Sequence, residues 1–334
     1  MNIDFIIGQL GGGGAERVLV LLASEMSHSK KVKIITFEDS EDYNYNKEVF
    51  RVKLHENYAN NHTIRRFISL FKHYRKKENR PDVLISFLPT ISFVTIPICK
   101  LFGIKIICSE HINHLQVENR IVSVTRKYLY KHANTLTVLT NFDKSYFSKK
   151  GIKTVVMPNP STFKTFKGKI KNRKKEIIAV GSLNRYHHKG FDNLLEIIKP
   201  VLQKFPDWKL RIVGGGDTGM TYLKKKSEEL HILDKVEFDG FKTNIVEIMQ
   251  SSSIFVLSSR FEGLPMVLLE ALSQGMACIS YNCKTGPSEM IMDGINGLLI
   301  DDQYYQKMGN NFSRALNSNC EEINYYFIFN SFYI

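Results

Sequence analysis

The sequence predicts an α/β chain built from two parallel, doubly wound sheets, and three observations carry that expectation. Short apolar, β-branched runs alternate with helix-length periodic segments, the pattern of βαβ units. The alternation pauses in a Lys-rich stretch without strands and then restarts. Glycine clusters fall directly after several of the apolar runs, at the strand ends where such sheets hold ligands.

The chain has 334 residues, and at roughly 100–200 residues per domain two domains are the natural division. In the first half, strands are expected over 3–7, 32–36, 49–54, 83–87, 104–108, 136–139 and 154–157. Helices are expected over 15–26, 64–77, 91–102, 121–132 and 141–149. Pro158-Asn159-Pro160 then leads into a Lys-rich stretch to Lys175 that reads as a linker. Beyond it, strands are expected over 176–180, 209–213, 235–238, 254–257, 277–280 and 297–300. Helices there are expected over 189–203, 220–231, 245–251, 265–275 and 287–292. The result is a Rossmann-like domain over 1–165 and a second over 166–334, expected to face one another across a cleft. The segment 324–334 is aromatic, lacks helical periodicity and reads as a truncated or frameshifted end.

Composition bounds the function. Hydrophobic residues make up 43% of the chain, enough for ordinary packed cores. The five cysteines are scattered and form no C-x-x-C pair, which favours a reducing compartment over a disulfide framework or a structural zinc site. The N-terminus lacks the positive n-region of a signal peptide. The longest uncharged run, 83–99, contains Pro89 and Pro97 and is shorter than the roughly 20 apolar residues of a membrane span. It reads as a strand, a loop and a buried helix, in a cytoplasmic protein. The formal net charge of +13 suggests an anionic partner (nucleic acid, an anionic membrane surface or phosphorylated ligands) or a solvated lysine-rich face.

Six motifs carry chemistry. Gly8 to Arg17 follows the first strand and opens a helix; its glycines admit a close backbone approach to a phosphate or sugar, and the helix N-terminus favours anions. Gly214-x-Gly216-x-x-Gly219 follows a strand and has Asp239 beyond it, a weak dinucleotide fingerprint that could equally line a nucleotide's phosphates or base. In Gly181 to Gly190, Arg185 and Lys189 can neutralise a diphosphate leaving group, or are two solvated cations near a helix start. In Ser258 to Gly275, Glu262 sits in a loop and Glu270 on the following helix, with Pro265 in its first turn. The amides of Leu264 and Met266 can meet a phosphate, and the carboxylates can accept from sugar and ribose hydroxyls. The bland alternatives are an N-capping Glu262 and an exposed helical Glu270. Cys108-Ser109-Glu110-His111 closes a first-domain strand and places a histidine beyond the strand end. The segment 62–77 sets Ile64, Phe67, Ile68 and Phe71 beside six basic residues, fitting either a helix on an anionic membrane or one packed on its own domain.

Taken together, these motifs resemble family 4 of the retaining glycosyltransferases, with the GT-B fold, over about residues 3–300. The most specific part is Glu262-x7-Glu270 within E-G-L-P…E-A…G; G-G-A-E, Ser-Glu-His, Pro-Asn-Pro, K-G-F-D and V-G-G-G appear in the family's order. The resemblance implies that Glu270 holds the donor ribose and Glu262 contacts the transferred sugar. It implies that Gly263, Leu264 and Pro265 meet the diphosphate and that Lys189, with Arg185, neutralises it. Gly214 and Gly215 line the nucleotide, Gly13 and Gly14 approach the donor from the first domain, and His111 contacts the donor sugar near the reacting carbon. Three features depart from the family: Ser182 stands where Arg is frequent, Ala277 where Pro is usual, and no closing crossover helix is recognisable past about Leu316.

The implied activity is a retaining hexosyl transfer from a UDP-sugar to a lipid-linked or other glycan acceptor in capsule, lipopolysaccharide or polysaccharide assembly. No cofactor or metal is expected, because the sequence holds no Asp-x-Asp; cations and helix amides would stabilise the leaving diphosphate instead. The anionic inner-membrane surface is an expected partner and nucleic acid is not. Two other readings stand beside this one: an NAD(P)-dependent oxidoreductase using Gly214 to Gly219, and a non-catalytic glycan- or membrane-binding relative.

Overall fold

The computed structural model describes residues 1–11, 13–39, 45–54, 60–116, 119–166, 173–301 and 305–317. Gly12, part of the expected linker and the aromatic segment 324–334 lie outside the described residues. Two compact units divide between Met1–Pro160 and Ser161–Ile334. The division lies ahead of the 165/166 boundary placed from composition, because the start of the Lys-rich stretch packs on the second unit. Phe166 N donates to Ser273 O at 2.8 Å, and Gln274 Nε2 to Lys164 O at 3.0 Å.

The first unit runs β1 (Asn2–Ile6), α1 (Gly14–Ser27), β2 (Lys31–Thr36), β3 (Phe50–Lys53), α2 (His62–Arg75), β4 (Val83–Phe87) and α3 (Pro89–Phe102). It continues through β5 (Lys105–Ser109), α4 (Arg120–Val124), β6 (Thr135–Val138), α5 (Asn141–Ser148) and β7 (Thr154–Val156). The seven strands lie parallel in the order β3-β2-β1-β4-β5-β6-β7, with Phe5 paired to both Ile34 and Ile85. The order reverses between β1 and β4. Helices cover both faces, which is why the strands read as nearly continuous apolar runs.

The expected helix 121–132 is broken. After α4 the chain makes one π turn, Thr125–Leu129, and one 3₁₀ turn, Tyr130–His132. The π turn contains Arg126, whose side chain points inward to buried partners described below. Pro89 opens α3 and Pro97 sits within it. Among the described residues, no helix is long and apolar enough to cross a membrane.

The second unit runs β8 (Lys174–Val180), α6 (Tyr186–Lys189), α7 (Phe191–Lys204), β9 (Lys209–Val213), α8 (Asp217–Glu229), β10 (Val236–Gly240) and α9 (Ile245–Ser251). It ends with β11 (Ser252–Leu257), α10 (Met266–Ser273), β12 (Ala277–Asn282), α11 (Pro287–Met290), β13 (Leu298–Asp301) and α12 (Tyr305–Asn317). Six parallel strands follow the order β10-β9-β8-β11-β12-β13, reversing between β8 and β11. Arg173 fastens the entrance to β8. Its guanidinium donates to the carbonyls of Met249, Ser252, Gln274 and Gly275 at 2.6–3.1 Å, the carbonyl-rich ends of α9 and α10 that a cation suits. Met308, Phe312, Ala315 and Leu316 of α12 close the core.

The expected helix 189–203 begins two residues later. Lys189 instead ends the single turn α6, and Gly190 takes a left-handed φ of 67° before α7 starts at Phe191. The expected helix 287–292 shrinks to the turn α11.

Candidate active site

In the second unit the motif residues converge at the carboxyl edge of the sheet. Lys189 follows β8 and Glu262 follows β11, so the two flank the point where strand order reverses, where open α/β sheets bind ligands. Lys189 Nζ donates to Glu262 Oε1 at 2.8 Å, and the side chains are only 17% and 10% exposed. Ser259 Oγ donates to the same carboxylate oxygen at 2.7 Å, and Thr285 Oγ1 donates to the Glu262 carbonyl. Glu262 is therefore a fixed, half-satisfied acceptor rather than a helix cap.

The loop carrying Glu262 is tied to the turn carrying Lys189. Arg260 reaches Asp192 through both terminal nitrogens, at 2.8 and 3.2 Å, and its backbone N donates to His188 O at 3.0 Å. The paired fork is strong and directional; it holds Asp192 below its ordinary pKa despite the opposing effect of burial. Ser258 Oγ donates to Lys189 O at 2.9 Å. Arg185 is exposed on the adjoining turn, and its side chain has no hydrogen bond or ion pair among the described residues. The structure thus joins Lys189 to Glu262 and leaves Arg185 outside that pair.

Pro265 is the N-cap of α10 rather than its first residue, with Gly263 and Leu264 just ahead of the helix mouth. The first N–H groups of a helix lack intrahelical partners, so this mouth suits a phosphate. Glu270 lies four residues along α10, 3% exposed, and accepts a hydrogen bond from Thr162 Oγ1. It is a buried, partnered carboxylate, not an exposed helical glutamate.

The glycines here serve close backbone contact. A Cβ on Gly190 would sit 1.9 Å from Ser258 O, and one on Gly214 would sit 1.8 Å from Gly181 O. Both residues hold positive φ, 67° and 153°. Gly190→Ala is expected to cost at least about 2 kcal/mol from the left-handed conformation and the displaced loop, lowering Tm by roughly 4–8 °C. A thermal melt that matches the wild type would show that the Ser258 loop does not need this approach. Gly216 and Gly219 likewise pack on Asn184 and Leu183. Asp239, the residue a dinucleotide ribose would need, is engaged by Arg211 Nε at 2.5 Å. The G-x-G-x-x-G spacing is explained by packing within the unit.

Two second-unit features escaped the sequence reading. One is the Arg260–Asp192 fork. The other is Phe241, 79% exposed directly after β10, whose Cβ would lie 3.6 Å from a Cβ on Gly215. Gly214 N donates to Gly240 O at 2.9 Å, fastening the two loops together.

In the first unit Gly13 caps α1 and Gly14 is its first residue. The Glu16 carboxylate folds over Gly13, where a Cβ would lie 2.1 Å from Oε2. His111 follows β5, its ring stacked on Phe87 with centroids 4.9 Å apart, and its Nε2 is 3.0 Å from Ser109 Oγ. Burial lowers its pKa to about 4, so the imidazole is neutral at pH 7.

At the β1/β4 reversal a cavity of about 240 Å³ is lined by Gly8, Gln9, Glu16, Glu38, Arg66 and Thr90, among others. Arg66 Nη2 pairs with Glu38 Oε1 at 2.8 Å. Leu88, also on the wall, holds a φ of 71°, a conformation that strained functional loops retain. Arg66 belongs to α2, whose apolar residues divide: Leu70 and Tyr74 are buried, while Ile64 and Phe67 are 52% and 40% exposed.

Comparison with known proteins follows the same division. The family model described as Glycosyltransferase Family 4 matches residues 12–160, and the one described as Glycosyl transferases group 1 matches 161–327. The chain is 31% identical over 311 residues to the amylovoran biosynthesis glycosyltransferase AmsD of Erwinia amylovora, covering 89% of this chain and 85% of that protein. It is 31% identical over 315 residues to a Campylobacter jejuni protein, covering 91% of this chain and 86% of the relative. That relative is named as the α-1,4-N-acetyl-D-galactosaminyltransferase of a GalNAc-GalNAc-diNAcBac-PP-undecaprenol substrate. Among solved structures, Anabaena HepE in complex with UDP superposes with a TM-score of 0.78 at 16% identity, covering 96% of this chain and 91% of that one.

Proposed function

The chain belongs to glycosyltransferase family 4 and has the GT-B fold, and from that premise we propose that it is a retaining hexosyltransferase that moves a sugar from a UDP-sugar to a lipid-linked glycan acceptor. The process it would serve is assembly of a surface polysaccharide, as the names of its relatives suggest. The observation that carries the reading is the Lys189–Glu262 pair at the strand reversal of the second sheet, 2.8 Å apart and bordered by bare glycine backbone.

In this reading Lys189 and the amides of Gly263 and Leu264 take up the charge that grows on the diphosphate as the glycosidic bond breaks. Arg185 adds a second cation from solvent. Glu262 accepts from hydroxyls of the transferred sugar, and Glu270 from those of the ribose. Phe241 offers a ring face for the base over the floor of Gly214 and Gly215, since aromatic side chains stack on any base. Gly13 and Gly14 approach the donor by backbone, and His111 contacts the transferred sugar. The anomeric carbon loses its bond to the diphosphate oxygen, which keeps the electron pair. The acceptor oxygen bonds to the same face, and its proton passes to the departing diphosphate. The sequence holds no Asp-x-Asp, which supports a reaction in which these groups act without metal or cofactor.

The first-unit cavity suits the acceptor's terminal sugar. Glu16, Glu38 and Arg66 present acceptors and a donor to hydroxyls, while two carboxylates against one guanidinium disfavour an anionic end group. The exposed Ile64 and Phe67 on basic α2 supply the face that meets the anionic cytoplasmic leaflet.

Ligand-induced stabilisation tests the donor class. UDP at about 100 times its Kd is expected to add about 2.7 kcal/mol to the stability of the state that binds it, raising Tm, and NAD to leave it unchanged. A shift with NAD and none with UDP would return the oxidoreductase reading. A panel of UDP- and GDP-hexoses followed for slow hydrolysis then identifies the sugar.

A further inference from the structure

The first unit buries a guanidinium beneath the loop that carries His111. Arg126 is 3% exposed. Its Nε donates to Glu110 Oε2 at 3.1 Å, Nη1 to the carbonyls of His114 (3.2 Å) and Gln116 (2.8 Å), and Nη2 to those of Ile112 (3.1 Å) and Asn113 (3.3 Å). An arginine has five N–H donors, and these five bonds all reach residues 110–116.

The partner carboxylate is fixed in turn. Tyr130 Oη donates to Glu110 Oε2 at 3.0 Å, and Ile112 N to Oε1 at 3.2 Å. A second anchor holds the loop from α5: His114 meets Asp143 Oδ1 through its backbone N at 3.0 Å and its Nδ1 at 2.7 Å, and its ring stacks on Tyr146. Arg126 sits in the π turn Thr125–Leu129, a feature frequent at functional sites. A buried ion pair adds little net stability over apolar packing of the same volume. The arrangement is therefore better explained by the geometry it fixes.

What it fixes is the strand end from which His111 projects. The ring lies against Phe87, and its Nε2 is 3.0 Å from Ser109 Oγ. Thr137 Oγ1 donates to that Ser109 Oγ at 3.0 Å. Thr137 Oγ1 also lies 3.4 Å from Cys108 O, the longer of its two contacts; with the threonine proton on Ser109, the serine hydroxyl is free to turn its own proton to Nε2. In that arrangement Nε2 accepts and the ring proton sits on Nδ1.

We infer that Arg126 and Glu110 are positioning residues that fix the loop carrying His111, so that Ser109, backed by Thr137, holds its imidazole with the proton on Nδ1, available to donate to a hydroxyl of the transferred sugar. This rests on the reading of His111 as a donor-sugar contact.

Long-range ¹H–¹⁵N spectra of the histidine rings and donor kinetics together test the inference. The wild type is expected to show His111 as the Nδ1–H tautomer. Glu110→Gln with Arg126→Met removes both charges at once, so no lone charge is left buried. In that variant the tautomers are expected to mix. Hydrolysis of UDP-galactose, UDP-glucose or UDP-N-acetylgalactosamine, whichever is turned over, is expected to fall about 100-fold in kcat. UDP affinity, which involves no transferred sugar, stays unchanged. Arg126→Lys keeps the charge without the fork and should retain part of both the rate and the tautomer preference; it decides by the same spectra if the double variant does not fold. An Nε2–H wild type, or a variant with native tautomer and native kcat, overturns the inference. His111→Ala separates the two claims: full turnover there overturns the sugar contact, while the spectra still decide the clamp.

Discussion

Lys189→Ala is expected to lower turnover at saturating donor by about two to three orders of magnitude, the usual cost of removing one preorganised group from a developing negative charge. The side chain is only 17% exposed and its stem crosses Gly181, whose Cβ would lie 3.3 Å from the lysine carbons. The ammonium is therefore held in place before any donor arrives. Its removal has a second effect. Glu262 keeps Ser259 but loses its cation, so an uncompensated carboxylate is left beside the site of an anionic ligand, and KM should rise as well. Adding Glu262→Gln to Lys189→Ala should recover part of the KM and none of the kcat. An unaltered kcat in the single variant removes Lys189 from leaving-group stabilisation.

Glu270→Ala is expected to weaken UDP binding by about 1.5–3 kcal/mol, the range for hydrogen bonds to a charged group, or roughly tenfold to a hundredfold. Glu270 is 3% exposed and accepts from Thr162, so the substitution also releases the segment that opens the second unit. Thr162→Val removes only that hydroxyl and isolates the second effect; its UDP affinity should move little. Calorimetry decides, and an unchanged affinity in Glu270→Ala sinks the ribose assignment.

The strands were the most legible part of the chain. Both sheet faces are covered, so each strand is a short apolar run bounded by polar or glycine residues. The motif positions were legible because ligands in such sheets gather at strand ends. Their pairing was not legible, because it depends on strand order: Lys189 and Glu262 are 73 residues apart, yet they follow β8 and β11, which are neighbours. What escaped was set by buried polar partners. The segment 121–132 carries apolar residues at helical spacing, and periodicity cannot register that Arg126, within the π turn, is paired inward with Glu110. The available signal was a charged residue among Val122, Val124, Thr125 and Leu129. Phe241 gave only a lone aromatic after a glycine, and its exposure beside Gly215 depends on two loops meeting. The start of α7 lies past the expected one because Gly190 is left-handed and lies too close to Ser258 O for a side chain, which apolar periodicity does not reveal.

The pairing of Lys189 with Glu262 has a consequence for the end of the catalytic cycle. In the free protein an internal anion already occupies the lysine. A nucleotide-sugar whose diphosphate meets the Lys189 ammonium where it stands can offer Glu262 sugar hydroxyls in exchange. UDP lacks the transferred sugar and its ribose faces Glu270, so once the sugar has gone the Glu262 carboxylate competes with the product for the same ammonium. On the proposed reading, one side chain changing its counter-ion favours retention of substrate and release of product.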